Sequence, residues 1–163
     1  MKAINTVKIS SISTGFIEVP GEISLNLYTQ GCSLQCKDCH NPDLQPFSGG
    51  ETITIQDIKN ILDEKSLPTW IAWLGGEPTD QPDGFKSFNK IFKEYGYGVC
   101  LYTGKYFSDI TDLLDDVDIV IDGPWEGIGV SDPSTNQKVY YKEENWQQVD
   151  FNNLKNLLGG VSC

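Results

Sequence analysis

The sequence predicts an α/β protein, either a partial (β/α) barrel or a curved, mostly parallel sheet with helices on its outer face. Three observations carry this. Short apolar runs rich in β-branched and aromatic residues alternate with stretches of helical periodicity. The connections between the runs are too long for hairpins, which argues for βαβ units. A complete eight-stranded barrel typically takes about 250 residues, so a chain of 163 residues has room for only roughly four to six units and should leave a wide mouth.

Strands are expected over residues 23–29, 70–74, 98–103 and 117–121, with a weaker one over 138–141. Ile55, Ile58, Ile61 and Leu62 recur at helical spacing behind Thr54, with Asp57 three residues on as a capping-box partner. A second helix is marked by Phe85, Phe88, Ile91, Phe92 and Tyr95 and closed by Gly96, and a third by Ile110, Leu113 and Leu114 behind Ser108. Residues 42–50, 123–136 and the glycines at 159 and 160 read as loops. No repeat or domain boundary interrupts this order, so one domain over 1–163 is expected.

Composition narrows the partners. The formal charge is −11, from 23 acidic against 12 basic residues, and arginine is absent. Neither nucleic acid nor an anionic membrane surface is therefore an expected partner. Without a guanidinium fork, lysine or backbone N–H groups must bind any carboxylate or phosphate. The N-terminal residues lack the apolar run of a secretory signal, and no stretch approaches the roughly 20 apolar residues of a membrane span, which points to the cytoplasm.

Five cysteines is an odd number, and three of them, Cys32, Cys36 and Cys39, fall within eight residues. That crowding reads as metal binding in a reducing compartment rather than as a disulfide framework. The cysteines follow the first expected strand directly, at the edge where α/β sheets collect their functional residues. Gaps of three and two residues let one loop wrap three corners of a cubane, each thiolate on a different iron. A fourth nearby cysteine is missing, so one iron would be open to a small molecule. The competing reading is a zinc knuckle of Cys32, Cys36, Cys39 and His40, although closed zinc sites usually draw two ligands from one short loop and two from elsewhere. Cys100, within an expected strand, reads as a small buried hydrophobe rather than a ligand, and it and the terminal Cys163 are the remaining alternatives for a fourth ligand.

A second motif, Leu74-Gly75-Gly76-Glu77-Pro78-Thr79, ends the next strand. Its two glycines would let a ligand approach bare backbone, and Glu77 offers a carboxylate suited to an amine. By itself it reads as a plain turn.

Together the two motifs resemble the radical S-adenosylmethionine (SAM) superfamily. Within it the chain looks most like the activating enzymes of glycyl radical enzymes, in particular those of anaerobic ribonucleoside-triphosphate reductases. Thr29-Gln30-Gly31, Cys39-His40-Asn41-Pro42, Leu101-Tyr102-Thr103-Gly104, Ile121-Asp122-Gly123-Pro124 and Ser134-Thr135-Asn136-Gln137-Lys138 fit that pattern too. Asp38 stands where the family often has an aromatic residue or glycine, and Lys138 where it often has arginine.

The resemblance implies a radical SAM fold in which Cys32, Cys36 and Cys39 hold a [4Fe–4S] cluster. Gly75, Gly76 and Glu77 would hold the methionine end of SAM, with Asn41, Thr103 and Asp122 about the same mouth. It further implies reductive cleavage of SAM to a 5′-deoxyadenosyl radical, which generates a glycyl radical on a partner anaerobic ribonucleotide reductase. An electron donor such as flavodoxin or ferredoxin would feed the cluster. Trp125 is a candidate for docking the partner, against ordinary loop packing, and His40 a candidate contact to a cluster sulfide or to adenine, against a solvent-facing role. Two rivals remain: a small-molecule radical SAM enzyme of the 7-carboxy-7-deazaguanine synthase kind, and a non-catalytic iron–sulfur carrier or zinc module.

Overall fold

The computed structural model describes residues 5–159, so Cys163 lies outside the described residues. The elements are β1 (Thr6–Gly15), β2 (Ser24–Thr29), β3 (Glu51–Thr54), α1 (Ile55–Glu64), β4 (Trp70–Gly75), α2 (Pro82–Glu94), β5 (Gly98–Tyr102), β6 (Ile119–Asp122), β7 (Lys138–Lys142), β8 (Trp146–Val149) and the short α3 (Leu154–Leu157). The strands form one open eight-stranded sheet in the order β3-β1-β2-β4-β5-β6-β7-β8.

The centre of the sheet is parallel: β2 pairs with β4, β4 with β5 and β5 with β6. These four strands therefore end at one edge, at Thr29, Gly75, Tyr102 and Asp122. The expected α/β class and open sheet are present. Antiparallel pairs flank the centre, β1 with β2 and β3 on one side and β6 with β7 and β7 with β8 on the other.

The central strands read as nearly continuous apolar runs because both of their faces are covered. On one face Leu25, Leu27, Ile71, Trp73, Val99 and Leu101 pack beneath Ile58 and Leu62 of α1 and Phe85, Phe88 and Phe92 of α2. Trp73 sits among the three phenylalanine rings at 5.1–6.2 Å and donates its indole N–H to Asn89 at 2.7 Å. On the other face Ala72, Cys100, Ile119, Ile121 and Val139 are covered by Val19 and by Leu154 of α3.

The α1 cap is formed as expected: Thr54 Oγ1 accepts from Asp57 N at 3.1 Å, and Asp57 Oδ2 accepts from Thr54 N at 2.8 Å. The third expected helix is not formed. Residues 107–113 instead make two 3-10 turns, Phe107–Asp109 and Thr111–Leu113, broken at Ile110. Aspartate is a poor helix former, and Asp109, Asp112, Asp115 and Asp116 would repel one another at helical spacing. Asp118, which follows this acidic stretch, is structural, taking the Val99 N–H at 2.8 Å and pairing with Lys93 at 2.7 Å.

Candidate functional site

Beyond β2 the chain turns at Gly31, whose φ of +109° suits glycine and where a Cβ would strike the Phe47 ring. The cysteine loop is then hung by its backbone: Gly31 N donates to Leu44 O at 2.7 Å and Cys32 N to Gln45 O at 2.9 Å. The buried Gln30 amide secures the return of the loop, donating to Pro46 O at 2.7 Å and Asp43 O at 3.2 Å. Between the first two cysteines Gln35 holds φ of +51°, the left-handed region that non-glycine residues seldom adopt. The turn aims the half-buried thiols of Cys32, Cys36 and Cys39 into one pocket at the sheet edge. Burial raises the Cys32 thiol, with the N–H groups of Leu34 and Gln35 acting against it.

Gly75, Gly76, Glu77, Asn41 and Thr103 line the same pocket, as do Tyr28, Tyr102, His40 and Trp125. Gly75 has φ of +94°, and a Cβ on Gly76 would run into the Gly31 carbonyl oxygen. The glycines thus have a packing role before any ligand is considered, since they let the end of β4 lie against the start of the cysteine loop. Gly76 N donates to Thr29 O at 2.9 Å and Glu77 N to Gly31 O at 2.8 Å, so these two N–H groups are engaged within the protein.

Glu77 is fully buried. Its Oε1 accepts from Thr79 Oγ1 at 2.6 Å, Thr103 Oγ1 at 2.8 Å and Thr79 N at 3.2 Å, and its Oε2 from Gly104 N at 2.9 Å. Burial holds its carboxyl above the ordinary value, against the lowering effect of these bonds. The carboxylate therefore ties the end of β4 to the exit of β5. Gly104, which has no side chain, makes room for Leu34 of the cysteine loop. Asn41 is exposed, and its side chain makes no cap bond to the 3-10 turn that follows.

Asp122 is buried but is not among the residues lining this pocket. Its carboxylate accepts from Phe107 N at 2.7 Å and Lys138 N at 3.3 Å, beside a separate depression. Cys100 also lies outside the pocket, in the apolar cluster of the second face, with its thiol pushed far up by burial. His40 and Trp125 touch, with ring centroids 3.8 Å apart.

Two residues without a sequence signature brace the site from outside the pocket lining. Asp80 accepts from Ser33 N at 2.7 Å and Ser33 Oγ at 3.1 Å, and pairs with Lys105 at 2.8 Å. The sequence reading missed both; the one signal that could have found them is nearness to the motifs, three residues after Glu77 and one after Gly104.

Three thiols spread around one pocket suit a cubane, whose irons lie apart at its corners. Among the described residues no three His, Cys, Asp or Glu side chains come together as tightly as a single metal ion would need. The donor set and the bare backbone beside it fit an iron–sulfur cluster with a small-molecule ligand.

Comparison with known proteins agrees. The 4Fe-4S single cluster domain family matches residues 19–144. The pyruvate formate-lyase-activating enzyme of Clostridium pasteurianum is 31% identical over 121 residues, 70% of this chain and 50% of the relative. The pyruvate formate-lyase 1-activating enzyme of Escherichia coli (strain K12) is 28% identical over 118 residues, 67% of this chain and 48% of the relative. The chain thus spans about half the length of these curated relatives. In fold it resembles the crystal structure of QueE from Escherichia coli, with a TM-score of 0.51 and 12% identity, over 61% of this chain and 53% of that one. A [4Fe–4S] cluster and SAM are the cofactors these matches carry with them. The chain belongs to the 4Fe-4S single cluster domain family, as a radical-SAM-type domain homologous to pyruvate formate-lyase-activating enzymes.

Proposed function

We propose that this chain is a single-domain, cytoplasmic activating enzyme that installs a glycyl radical on a partner enzyme, an anaerobic ribonucleoside-triphosphate reductase, with flavodoxin or ferredoxin as electron donor. The observation that carries it is the convergence of Cys32, Cys36 and Cys39 with Gly75 and Gly76 on one pocket at one sheet edge. The choice of reductase rests on the sequence segments that resemble the reductase activators, Leu101-Tyr102-Thr103-Gly104 and Ser134-Thr135-Asn136-Gln137-Lys138 among them.

Cys32, Cys36 and Cys39 would hold the cluster as thiolates, and three protein ligands for four irons leave one corner for SAM. When bound, the pair would supply one-electron reductive cleavage of SAM, the electron coming from the donor protein, to methionine and a 5′-deoxyadenosyl radical able to take hydrogen from a glycine of the partner. The chain's own residues orient and enclose. Gly75 and Gly76 keep side chains away from the methionine end, and Glu77 holds Thr103 and Gly104 in place. Glu77 spends both oxygens on these internal bonds, so its part in binding SAM is to set the shape of the turn. Trp125, resting on His40, covers the mouth beside Cys39. The sheet closes on neither side, with β3 and β8 as its edges, which suits a site that must admit a loop of another protein.

The test is anaerobic reconstitution followed by electron paramagnetic resonance of the reduced cluster without and with SAM, then incubation with each candidate partner. A SAM-dependent change in the cluster signal, 5′-deoxyadenosine release and a glycyl radical on the reductase are expected. A signal indifferent to SAM would leave a carrier, and a radical on pyruvate formate-lyase but not on the reductase would reassign the partner.

A further inference from the structure

Asp80 lies on the far side of the 77–80 turn from the glycine pair, and its side chain is 11% exposed. One carboxylate oxygen takes the N–H of the peptide that joins Cys32 to Ser33, and the other takes the Ser33 hydroxyl. Lys105, on the exit of β5, places its ammonium 2.8 Å from the same carboxylate. Lys105 is itself fixed by its backbone, donating to Thr103 Oγ1 at 3.1 Å and accepting from Gly123 N at 3.0 Å. One acidic side chain thus connects the first cysteine, the Gly-Gly-Glu-Pro turn and the third parallel strand. Its bonds to Ser33 join residues 47 positions apart in sequence.

We propose that Asp80 is a positioning residue for the cluster, anchoring the Cys32–Ser33 peptide and, together with Lys105, setting the net charge felt at the Cys32 corner. The inference rests on the cluster-binding reading above. A backbone amide held by a carboxylate is a charge-assisted bond, stronger than one between neutral partners, and it fixes a ligand loop that otherwise contains a left-handed Gln35. The charges also act directly. An anion near the cluster disfavours the added electron and a cation favours it, so a paired Asp80 and Lys105 nearly cancel, and removing either partner exposes the other.

Two substitutions separate these effects from simple structural damage. Asp80→Asn removes the negative charge and leaves Lys105 unpaired, whereas Lys105→Met keeps the lysine stem and both Asp80–Ser33 bonds and leaves the carboxylate uncompensated. Midpoint potentials of the reconstituted cluster, from a redox titration followed by electron paramagnetic resonance, are expected to rise in Asp80→Asn and fall in Lys105→Met. In the apoprotein, amide exchange at Ser33 is expected to quicken by roughly tenfold in Asp80→Asn and to change little in Lys105→Met. Shifts of the same sign, no shift, or unchanged Ser33 exchange in Asp80→Asn would overturn the proposal. If Asp80→Asn does not fold, a fall in potential in Lys105→Met supports the charge effect and its absence overturns it. A wild-type cluster indifferent to SAM would defeat the proposed activity while leaving these potentials to be read. A wild-type chain that takes up no cluster would defeat both.

Discussion

Glu77 is the residue whose replacement tests the site geometry most directly. In Glu77→Ala the donors at Thr79 N, Thr79 Oγ1, Thr103 Oγ1 and Gly104 N all lose their acceptor. The two hydroxyls can rotate to other partners, but the two backbone N–H groups are fixed. A buried donor left without a partner costs about 1–3 kcal/mol; Thr79 N is buried and Gly104 N half-buried, so the two, less the relief of no longer burying a carboxylate, give a loss of about 1–4 kcal/mol. Glu77→Gln keeps one acceptor oxygen and turns an NH2 towards one of the donors, for a smaller loss of about 1–2 kcal/mol.

The pH dependence has a definite sign. Burial raises the Glu77 carboxyl above its ordinary 4.5, so the folded chain holds this proton more tightly than the unfolded chain does. Stability from this group is then largest in acid and falls as pH rises from about 4.5 through the higher folded value. The Gln variant lacks that titration, so the advantage of wild type over Glu77→Gln shrinks from acid towards neutral pH. Urea unfolding of the reduced apoprotein, wild type and both variants across that range, measures it. Equal stability of wild type and Glu77→Ala, or an advantage over Glu77→Gln that grows with pH, would refute the network as described.

Three further outcomes follow from the same geometry. Alkylation of the reduced apoprotein should label Cys32, Cys36 and Cys39 while sparing Cys100, whose thiol is buried and held protonated, and peptide mapping that finds Cys100 labelled in the folded chain would contradict its placement. Gly76→Ala should cost about 1–3 kcal/mol, because the new methyl meets the carbonyl oxygens of Gly31 and Leu44, which are backbone and cannot swing aside; an unchanged melting temperature would tell against that joint. Trp125→Ala removes an aromatic contact worth about 0.5–1.5 kcal/mol, so a reconstituted cluster should bleach in air roughly 2–10 times faster, followed by visible absorbance, and an unchanged rate would leave Trp125 no shielding role.

The parts of the fold that were legible in the sequence are those where local pattern and burial agree. The four parallel strands are buried on both faces and stand out as apolar runs, and Thr54 with Asp57 marks the start of α1 by chemistry that acts within four residues. β1 escaped notice because its register shifts between Ile9 and Ser11, which breaks the alternation that would have revealed it. β3 and β8 are four-residue strands at the sheet edges with largely exposed side chains, and so carry little apolar signal. The site divides similarly. Spacing alone singled out the three cysteines, whereas the two glycines read as a plain turn until the family resemblance joined them to the cysteine loop. The inward contacts of Glu77, the turn of Asp122 away from the pocket and the recruitment of Asp80 and Lys105 are long-range choices of partner that no local pattern encodes.

The hydrogen bonds at the sheet edge imply that the two motifs act as one mechanical unit. Thr29 and Gly31 give their carbonyls to Gly76 and Glu77, Gly31 and Cys32 donate to Leu44 and Gln45, and Ser33 returns to Asp80. The loop that presents the thiols and the turn that presents bare backbone are therefore stitched together at residues adjacent to Cys32 on both sides. Sites that share partners in this way are not energetically independent. Glu77→Ala and Asp80→Asn, three residues apart on the turn, should thus couple with each other in a double-mutant cycle on apoprotein stability, whereas either should add simply to Phe88→Ala in the core beneath α2. Additivity of the Glu77 and Asp80 pair would mean that the cysteine loop and the glycine turn are held separately, and that the shared pocket arises from two independent anchors rather than one.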